Sequence, residues 1–442
     1  MSPTGRIAIM TSLLALAGCD SLFGKKKEPL QGAREPVFIS HENTQPDVAP
    51  GSHEVTLPQP EAISNWPQAS GAPHHVMPAV QLGQIGEKPA WTRDVGRGAG
   101  SERRLMAGPV IANGVVYTLD TISRLTAVDL EKGEVLWEQD ASAKDLEHPA
   151  FGGGVAVEGG IVFAGTAAAE ALALDAKTGT ILWRTRVAGP VRTAPAVKNG
   201  RLYVVTLNNQ LECLDAKTGE VLWTHSGIIE SAGLLGSASP AVGDDLVIVA
   251  YSSGEVYALK TSNGHTLWSQ SINPTRRLDP VSSISHIKAR PLLDGNRVYL
   301  VSHGGRMEAL EVRTGKPIWS RDVGGIRTPT IVGNYLFMVS GENRLICMLK
   351  QSGKIVWSQQ LPRFENEEKS KNPLLWAGPI AVNEHLVLAA NHGQVLMVRA
   401  KDGQTEQQLE LPSGTSLSPI TAAGFLIFLT DSANLVAYRE TR

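Results

Sequence analysis

The sequence is poor in charged residues and has no long apolar run. Asp, Glu, Lys and Arg make up 19% of the 442 residues, and the formal net charge is -2. Soluble domains usually contain about 25% charged residues. A balance this close to neutral excludes a basic field of the size that nucleic-acid binding requires. The apolar segments also fall short of the roughly 18 residues that a membrane-spanning helix needs.

Cysteine is scarce as well, and common catalytic motifs are missing. The three cysteines are Cys19, Cys213 and Cys347. The last two occupy corresponding positions of two sequence repeats, which would place them too far apart for a disulfide, so we expect both to be buried small apolar residues. The sequence has no C-x-x-C, H-E-x-x-H or G-x-S-x-G motif. It offers no catalytic, cofactor-binding or metal-binding candidates, although scattered Ser, His and Asp residues leave open a triad that only the fold would assemble.

A repeated segment that ends in tryptophan dominates the rest of the chain. Its clearest copy is Leu-Asp-Ala-Lys-Thr-Gly-Glu-Val-Leu-Trp at residues 214–223. In six copies a glycine stands four residues before the tryptophan, and a seventh copy has Gln407 in place of the tryptophan. Successive tryptophans lie between 38 residues (319 to 357) and 51 residues (268 to 319) apart. This period is typical of a β-propeller blade rather than of a helical repeat.

Each repeat predicts four short antiparallel strands. A proline or small residue opens the first strand, a tight turn leads to a second strand of period two, and a third strand precedes the tryptophan strand. The predicted blades cover residues 108–137, 153–183, 194–223, 239–268, 290–319, 328–357 and 378–407. The last unit, 418–438, has three strands, and residues 83–96 are expected to supply the fourth. We therefore predict an all-β fold, an eight-bladed β-propeller with four-stranded antiparallel blades, in which joining the chain ends removes the last exposed sheet edge.

The tryptophans of the repeat are expected to dock each blade on the next one. They are Trp91, Trp137, Trp183, Trp223, Trp268, Trp319 and Trp357. One indole buries about 150–250 Å², and at about 25 cal/mol/Å² this burial contributes at most about 4–6 kcal/mol. The glycine four residues earlier suits the positive φ of a tight turn.

The N-terminus has the features of a bacterial lipoprotein. Arg6 precedes an apolar stretch that ends in Leu16-Ala17-Gly18-Cys19, which resembles a lipobox and predicts a signal peptide at 1–18 and lipidation of Cys19. An ordinary signal peptide followed by an incidental cysteine is the alternative. Residues 19–66 are rich in proline and predict a disordered linker. Residues 67–82 are assigned to a lead-in segment and residues 83–442 to the propeller.

Two long loops that flank the same blade form the candidate partner-binding site. Residues 224–238 carry four apolar side chains, which is unusual for a surface loop, and residues 269–289 carry four basic ones. These are Ile228, Ile229, Leu234 and Leu235 in the first loop and Arg276, Arg277, His286 and Lys288 in the second. An apolar centre with a charged rim is typical of a protein-binding surface. The alternative is that the leucines fold over the channel of the propeller.

The tryptophan repeat resembles those of two families of eight-bladed propellers. One is the quinoprotein dehydrogenases, which bind pyrroloquinoline quinone with calcium, but this sequence lacks the adjacent cysteine pair of their alcohol-oxidising members. The resemblance to the BamB lipoproteins of the outer-membrane β-barrel assembly machinery covers the whole chain, from the lipobox to the eight blades. It implies a non-enzymatic scaffold, without a cofactor, that binds the periplasmic POTRA domains of the BamA barrel insertase. A dehydrogenase dependent on pyrroloquinoline quinone is the alternative.

The same resemblance implies that BamA is contacted through these two loops, but with different side chains. Leu234 matches one of two family leucines, whereas Ala232 stands at the other and Leu235 where an arginine is expected. His286 and Lys288 stand where two acidic residues are expected. The exchange implies a partner surface that is less basic than usual, or acidic.

The residue after the predicted lipidation site bears on localisation. Asp20 follows Cys19 directly and resembles an inner-membrane retention signal. The family resemblance implies instead the periplasmic face of the outer membrane. We expect the outer membrane, with the inner membrane as the alternative.

Overall fold

The computed structural model describes residues 43–49, 51–143, 150–230, 233–272 and 286–441. The predicted signal peptide, Cys19 and Asp20 lie outside these residues, as do Ala232, Arg276 and Arg277. Within the described ranges, no helix is long and apolar enough to cross a membrane.

The predicted eight-bladed propeller is confirmed. Eight four-stranded antiparallel sheets succeed one another, and in seven of them the strand order in the sheet is the order in the sequence. Blades 1 and 2 consist of Val110–Ala112, Val115–Leu119, Arg124–Asp129 and Val135–Asp140, then Gly153–Glu158, Ile161–Thr166, Glu170–Asp175 and Ile181–Arg186. Blades 3 and 4 consist of Ala196–Lys198, Arg201–Val205, Gln210–Asp215 and Val221–Ser226, then Ala241–Val242, Leu246–Ala250, Glu255–Lys260 and Thr266–Ser271.

The second half of the ring repeats this arrangement. Blades 5 and 6 consist of Leu292–Asp294, Arg297–Val301, Met307–Glu311 and Pro317–Arg321, then Thr330–Val332, Tyr335–Val339, Arg344–Leu349 and Ile355–Gln360. Blade 7 consists of Trp376–Val382, His385–Ala390, Gln394–Arg399 and Thr405–Glu410. A small hairpin, Phe364–Asn366 with Lys371–Pro373, precedes blade 7.

Blade 8 is built from both ends of the propeller sequence. Its strands are Ile420–Ala422, Phe425–Leu429 and Asn434–Arg439, and the fourth is Trp91–Asp94. Trp91 pairs with Ala437 in an antiparallel register. The ring is thereby closed by hydrogen bonds between segments that are more than 300 residues apart, which leaves no unpaired edge at the seam.

The indoles of the repeat tie each blade to the one that follows it. The N–H of each of the seven repeat tryptophans donates a hydrogen bond of 2.7 to 3.0 Å to a backbone carbonyl of the next blade. The glycine of that blade's tight turn lies against the same ring. A Cβ added to Gly219 would lie 2.7 Å from Cδ2 of Trp183. The repeat glycine therefore makes room for the tryptophan of the preceding blade, besides adopting the positive φ of its own turn.

Within its own blade each tryptophan faces a small residue on the third strand. These partners are Ala127, Ala173, Cys213, Ala258, Ala309, Cys347 and, for the closing strand, Ala437. In blade 7 the large residue stands on the third strand instead, because Met397 faces Gln407, which replaces the tryptophan. The third and fourth strands of blade 8 come from opposite ends of the sequence, so no tight turn joins them. An indole at position 407 would therefore find no turn glycine to pack against.

The apolar core lies between neighbouring blades. Seven clusters of buried residues each span adjacent blades, and one of them joins blades 7, 8 and 1 across the seam. Cys213 and Cys347 are both buried and unbridged, as predicted. Burial raises the pKa of Cys213 to about 12 and raises that of Cys347 further. Both thiols are therefore neutral packing groups opposite an indole.

The predicted disordered linker is wrong for its described part. From residue 43 onward the segment lies on the propeller, where the carboxylate of Asp47 accepts hydrogen bonds from Ile355 N–H and the Arg321 side chain. Farther along, His53 Nε2 lies 3.0 Å from the Tyr335 hydroxyl. Composition predicts disorder where a segment cannot bury apolar surface by itself. Here the blades supply the apolar surface, and Val55 and Trp66 are buried against them.

Residues 58–82 form a plug across one face of the ring. They hydrogen-bond or pack against the end of the first strand in all eight blades. The contacted residues are Ile111, Val157, Val197, Val242, Leu293, Gly333, Val382 and Ala423. The segment assigned from sequence to a lead-in is thus part of this plug, and it closes the central channel on the face that holds the turns after the first strands.

Candidate protein-binding loop and central cavity

The long loops lie on the face opposite the plug. In antiparallel blades, connections that follow the second and fourth strands share one face, and turns that follow the first and third strands share the other. The plug covers the first-strand ends. The loop that begins after Ser226 and the hairpin at Phe364–Asn366 both follow fourth strands. They therefore surround the open end of the channel.

The first part of the candidate loop is held firmly while its side chains are exposed. Ile228 and Ile229 are 61% and 72% exposed. The N–H of Ile228 donates to the Glu255 carboxylate at 2.7 Å, and its carbonyl accepts from the buried Asn209 side chain at 2.5 Å. The backbone at Ile228 is thus fixed on both sides. Two isoleucines are presented to solvent by a fixed backbone.

Glu255 is the centre of this anchoring network. Besides the Ile228 N–H, its carboxylate accepts hydrogen bonds from the hydroxyls of Ser253 and Tyr257. Burial alone would raise the pKa of Glu255, but these donors outweigh it and lower the pKa below its ordinary value. His225, whose pKa burial lowers, lies 2.9 Å from the Tyr251 hydroxyl beside the network. The charged carboxylate therefore holds the loop at neutral pH.

The second part of the loop bends toward the channel. Leu234 is half-buried, and its N–H donates to Nδ1 of His286 at 2.8 Å. Leu235 is 38% exposed and lines the mouth of the central cavity. From the sequence, these four apolar side chains were expected either to form an exposed patch or to fold over the channel. Ile228 and Ile229 form an exposed patch, whereas Leu234 and Leu235 fold over the channel.

The predicted charged rim is wrong for the two of its residues that the structure describes. His286 is 2% exposed, and burial and the neighbouring Lys288 lower its pKa to about 4, so it is neutral. It supports the loop from below. Lys288 points into the central cavity instead of the outer surface. The sequence pattern predicted the loop that carries these residues. How far each side chain is buried depends on the packing of residues 234–236, and residue types alone do not specify this packing.

A central cavity of about 300 Å³ lies between the plug and the loops. Trp66, Ser70, His75 and Met77 of the plug form its floor. Its mouth is lined by Met106, Leu235, Ile326 and Leu375. Gly236 and Met106 lie close together in this lining, because a Cβ on Gly236 would lie 2.9 Å from Cε of Met106.

The cavity wall carries five cationic side chains and, among the described residues, no carboxylate. The cations are Arg104, Arg192, Lys288, Arg290 and Arg327. Burial lowers the pKa of Arg290 to about 10. Burial, together with repulsion from Arg327 and Arg290, lowers the pKa of Lys288 to about 8. Arg192, Lys288, Arg290 and Arg327 are half-buried, because part of their surface faces the cavity, whereas Arg104 is exposed.

The sequence contains a signal for this cavity outside the tryptophan repeat. In seven blades a residue followed by proline stands just before the first strand or, in blade 7, within it. Six of these residues are small (Gly108, Ala194, Ser239, Thr328, Gly378 and Ser418) and the seventh is Arg290. Gly108, Arg290, Thr328 and Ser418 of this set line the cavity, so a single arginine among small residues marks a specialised wall.

Comparison with known proteins addresses the family directly. The family profile described as outer membrane protein assembly factor BamB matches residues 81–150 and 123–359, which is more than half of the chain. The chain belongs to the BamB family. The outer membrane protein assembly factor BamB from Aliivibrio fischeri is 34% identical to this chain over 364 residues. The match covers 82% of this chain and 91% of that protein.

Solved structures show the same fold in BamB and in enzymes. BamB from Moraxella catarrhalis superposes with a TM-score of 0.69 at 14% identity, covering 80% of this chain and all of that one. A europium-containing methanol dehydrogenase gives a TM-score of 0.66 at 15% identity, covering 83% of this chain and 90% of that one. At these identities the likeness concerns the fold alone.

The cavity does not supply the ligands that the calcium of the dehydrogenase alternative would need. Calcium is bound by several oxygen ligands, usually including carboxylates. The described residues of the cavity supply five cations and no carboxylate, and no group of three His, Cys, Asp or Glu side chains in the described part of the chain could hold a metal ion. A BamB-type role therefore has to be argued from surfaces that bind protein.

Proposed function

We propose that this chain is a non-enzymatic periplasmic scaffold of the outer-membrane β-barrel assembly machinery. In this role it binds the POTRA domains of a BamA-like insertase and assists the assembly of outer-membrane proteins. Membership of the BamB family supports the role. The observation that carries it for this chain is the pair of exposed isoleucines, Ile228 and Ile229, on an anchored loop at the open face.

The loop has the properties that a binding surface needs. Exposed apolar side chains bury surface when a partner covers them. A backbone that is already fixed loses little conformational entropy on binding. Leu235 extends the apolar surface from the isoleucines to the cavity mouth, where Leu375 is 48% exposed. The partner-binding surface of the proposal therefore comprises Ile228, Ile229, Leu234 and Leu235, with Lys288 behind them.

The binding test compares the full-length chain with a variant that carries Ile228→Asp and Ile229→Asp. We expect the dissociation constant for purified POTRA domains to rise about tenfold or more, since two buried apolar contacts are worth at least about 1.4 kcal/mol. Leu182→Asp is the matched control. Leu182 is 53% exposed on the outer strand of blade 2, away from the loop.

Two results would contradict the proposal at different levels. If the double variant binds as tightly as wild type while the control is also unchanged, the loop is not the binding surface. If the wild-type chain does not bind POTRA domains at all, the partner is wrong. Reduction of a redox dye after incubation with pyrroloquinoline quinone and calcium would contradict the non-enzymatic role.

The proposal places the chain at the periplasmic face of the outer membrane, anchored by lipid on Cys19. Mass spectrometry of the N-terminal peptide tests the lipid, and density-gradient separation of the two membranes tests the location. Asp20→Ser provides the comparison, because a retention signal at Asp20 would place the wild type in the inner membrane and the variant in the outer one.

A further inference from the structure

The cationic wall of the central cavity is not explained by protein binding at the loop. Arg290 reaches the plug, where its Nη1 donates to the Ser70 hydroxyl at 3.2 Å, and Arg327 Nη1 donates to the Ser416 carbonyl at 2.8 Å. Each guanidinium has five N–H donors, so most of them remain available. Lys288 has no hydrogen-bond or ion-pair partner among the described residues. The wall thus carries more donors and more positive charge than the protein itself uses.

Arg192 adds an independent sign of an incomplete site. Its guanidinium lies 4.6 Å from the centre of the Phe151 ring. Its Nε is buried and has no hydrogen-bond partner among the described residues. Buried donors are almost always paired, and an unpaired one costs about 1–3 kcal/mol. Arg192 also lines the cavity, so its guanidinium adds to the cationic wall.

Like charges held together in a partly enclosed space destabilise a fold unless opposite charge is present. Burial lowers the pKa of Arg327, and the negative charge of Asp431 opposes this shift. Asp431 accepts hydrogen bonds from the N–H and hydroxyl of Ser416, behind the wall. It therefore does not face Lys288, Arg290 and Arg192 across the cavity.

We propose that the central cavity binds a small polyanion, a molecule with two or more carboxylate or phosphate groups, between Arg192, Lys288, Arg290 and Arg327. Planar guanidinium groups bind such oxyanions through paired hydrogen bonds. A volume of about 300 Å³ is suited to a molecule of that size. The closed floor and the small volume favour a free small molecule over an inserted protein segment.

The test uses the full-length chain with citrate and pyrophosphate as probes, titrated calorimetrically at a constant ionic strength kept with chloride. We expect saturable binding of at least one probe. Lys288→Met should weaken this binding about tenfold or more, because a hydrogen bond to a charged group is worth about 1.5–3 kcal/mol. Lys316→Met, in an exposed turn on the plug face, is the matched control and should leave the affinity unchanged.

A second measurement separates a binding role from a structural one. In chloride alone, the variant Lys288→Met should have a higher melting temperature than wild type, because the substitution removes repulsion with Arg290 and Arg327. Adding a probe should then no longer raise the melting temperature of this variant. A lower melting temperature for this variant would assign Lys288 a structural role. If citrate, pyrophosphate and chloride at the same ionic strength change the melting temperature of the wild-type chain equally, the proposal is overturned without reference to any variant.

Discussion

The joint between blades can be tested at two glycines of blade 3. Gly200 and Gly219 have nearly the same φ, +72° and +76°. A Cβ on Gly200 would meet nothing within 4 Å, whereas a Cβ on Gly219 would lie 2.7 Å from both Trp183 Cδ2 and Thr185 Oγ1. Replacing each glycine by alanine therefore separates the strain of the turn from the contact with the indole.

The two glycine variants should lose different amounts of stability. Alanine in a left-handed conformation costs about 1–2 kcal/mol, and this is the whole effect expected for Gly200→Ala. Overpacking against a ring that cannot move freely adds about 1–3 kcal/mol for Gly219→Ala. In a Trp183→Ala background the contact with the indole is gone and only that with Thr185 Oγ1 remains, so the cost of Gly219→Ala should fall toward that of Gly200→Ala.

Equilibrium unfolding of the full-length chain in urea, followed by far-ultraviolet circular dichroism, measures these differences as shifts of the midpoint. Circular dichroism is chosen because the Trp183→Ala background changes the fluorescence. The reasoning fails if the two glycine variants lose equal stability. It also fails if the cost of Gly219→Ala persists in the Trp183→Ala background.

Two further predictions concern buried titratable groups. Because burial raises the pKa of Cys213 to about 12, iodoacetamide at pH 8 should label this thiol only after unfolding, and peptide mass spectrometry that finds rapid labelling of the folded chain would contradict the packing described here. Burial lowers the pKa of His75 from 6.5 to about 3, so the unfolded chain binds the proton more tightly, and stability should be complete above pH 6.5 and fall as the pH is lowered toward 3. The variant His75→Asn keeps a donor for the Pro291 carbonyl. Its free energy of unfolding, measured in urea, should fall less steeply over this range than that of wild type, by up to about 1.4 kcal/mol per pH unit. Equal slopes for the two proteins would refute the assignment.

The repeat predicted the fold because every blade except the seventh packs on the next one through the same set of residues. A tryptophan, a small residue opposite it and a turn glycine in the next blade recur together, so the register of each blade could be predicted from residue types. Gln407 is the informative exception. Its exchange with Met397 reflects the one joint where the following blade has no tight turn, and this follows from the closure by residues 91–94.

The plug could not be predicted in the same way. Residues 43–82 have no periodic pattern and many prolines, and their order depends on surfaces supplied by all eight blades. The same limit applies to His286 and Lys288. Their loop was predictable from its length, but whether each side chain faces solvent or the cavity depends on how residues 234–236 pack across the mouth.

The two proposals share one face of the molecule, and this has a thermodynamic consequence. The plug closes the other face, so a small anion and a protein partner both approach from the loop side. Leu235 belongs to the proposed partner surface and also lines the cavity mouth. A ligand that changes the position of Leu235 changes the affinity for the partner, and the partner must change the affinity for the ligand by the same factor. POTRA binding measured with and without saturating citrate therefore gives that factor, and a value of one would mean that the two sites act independently despite their common residue.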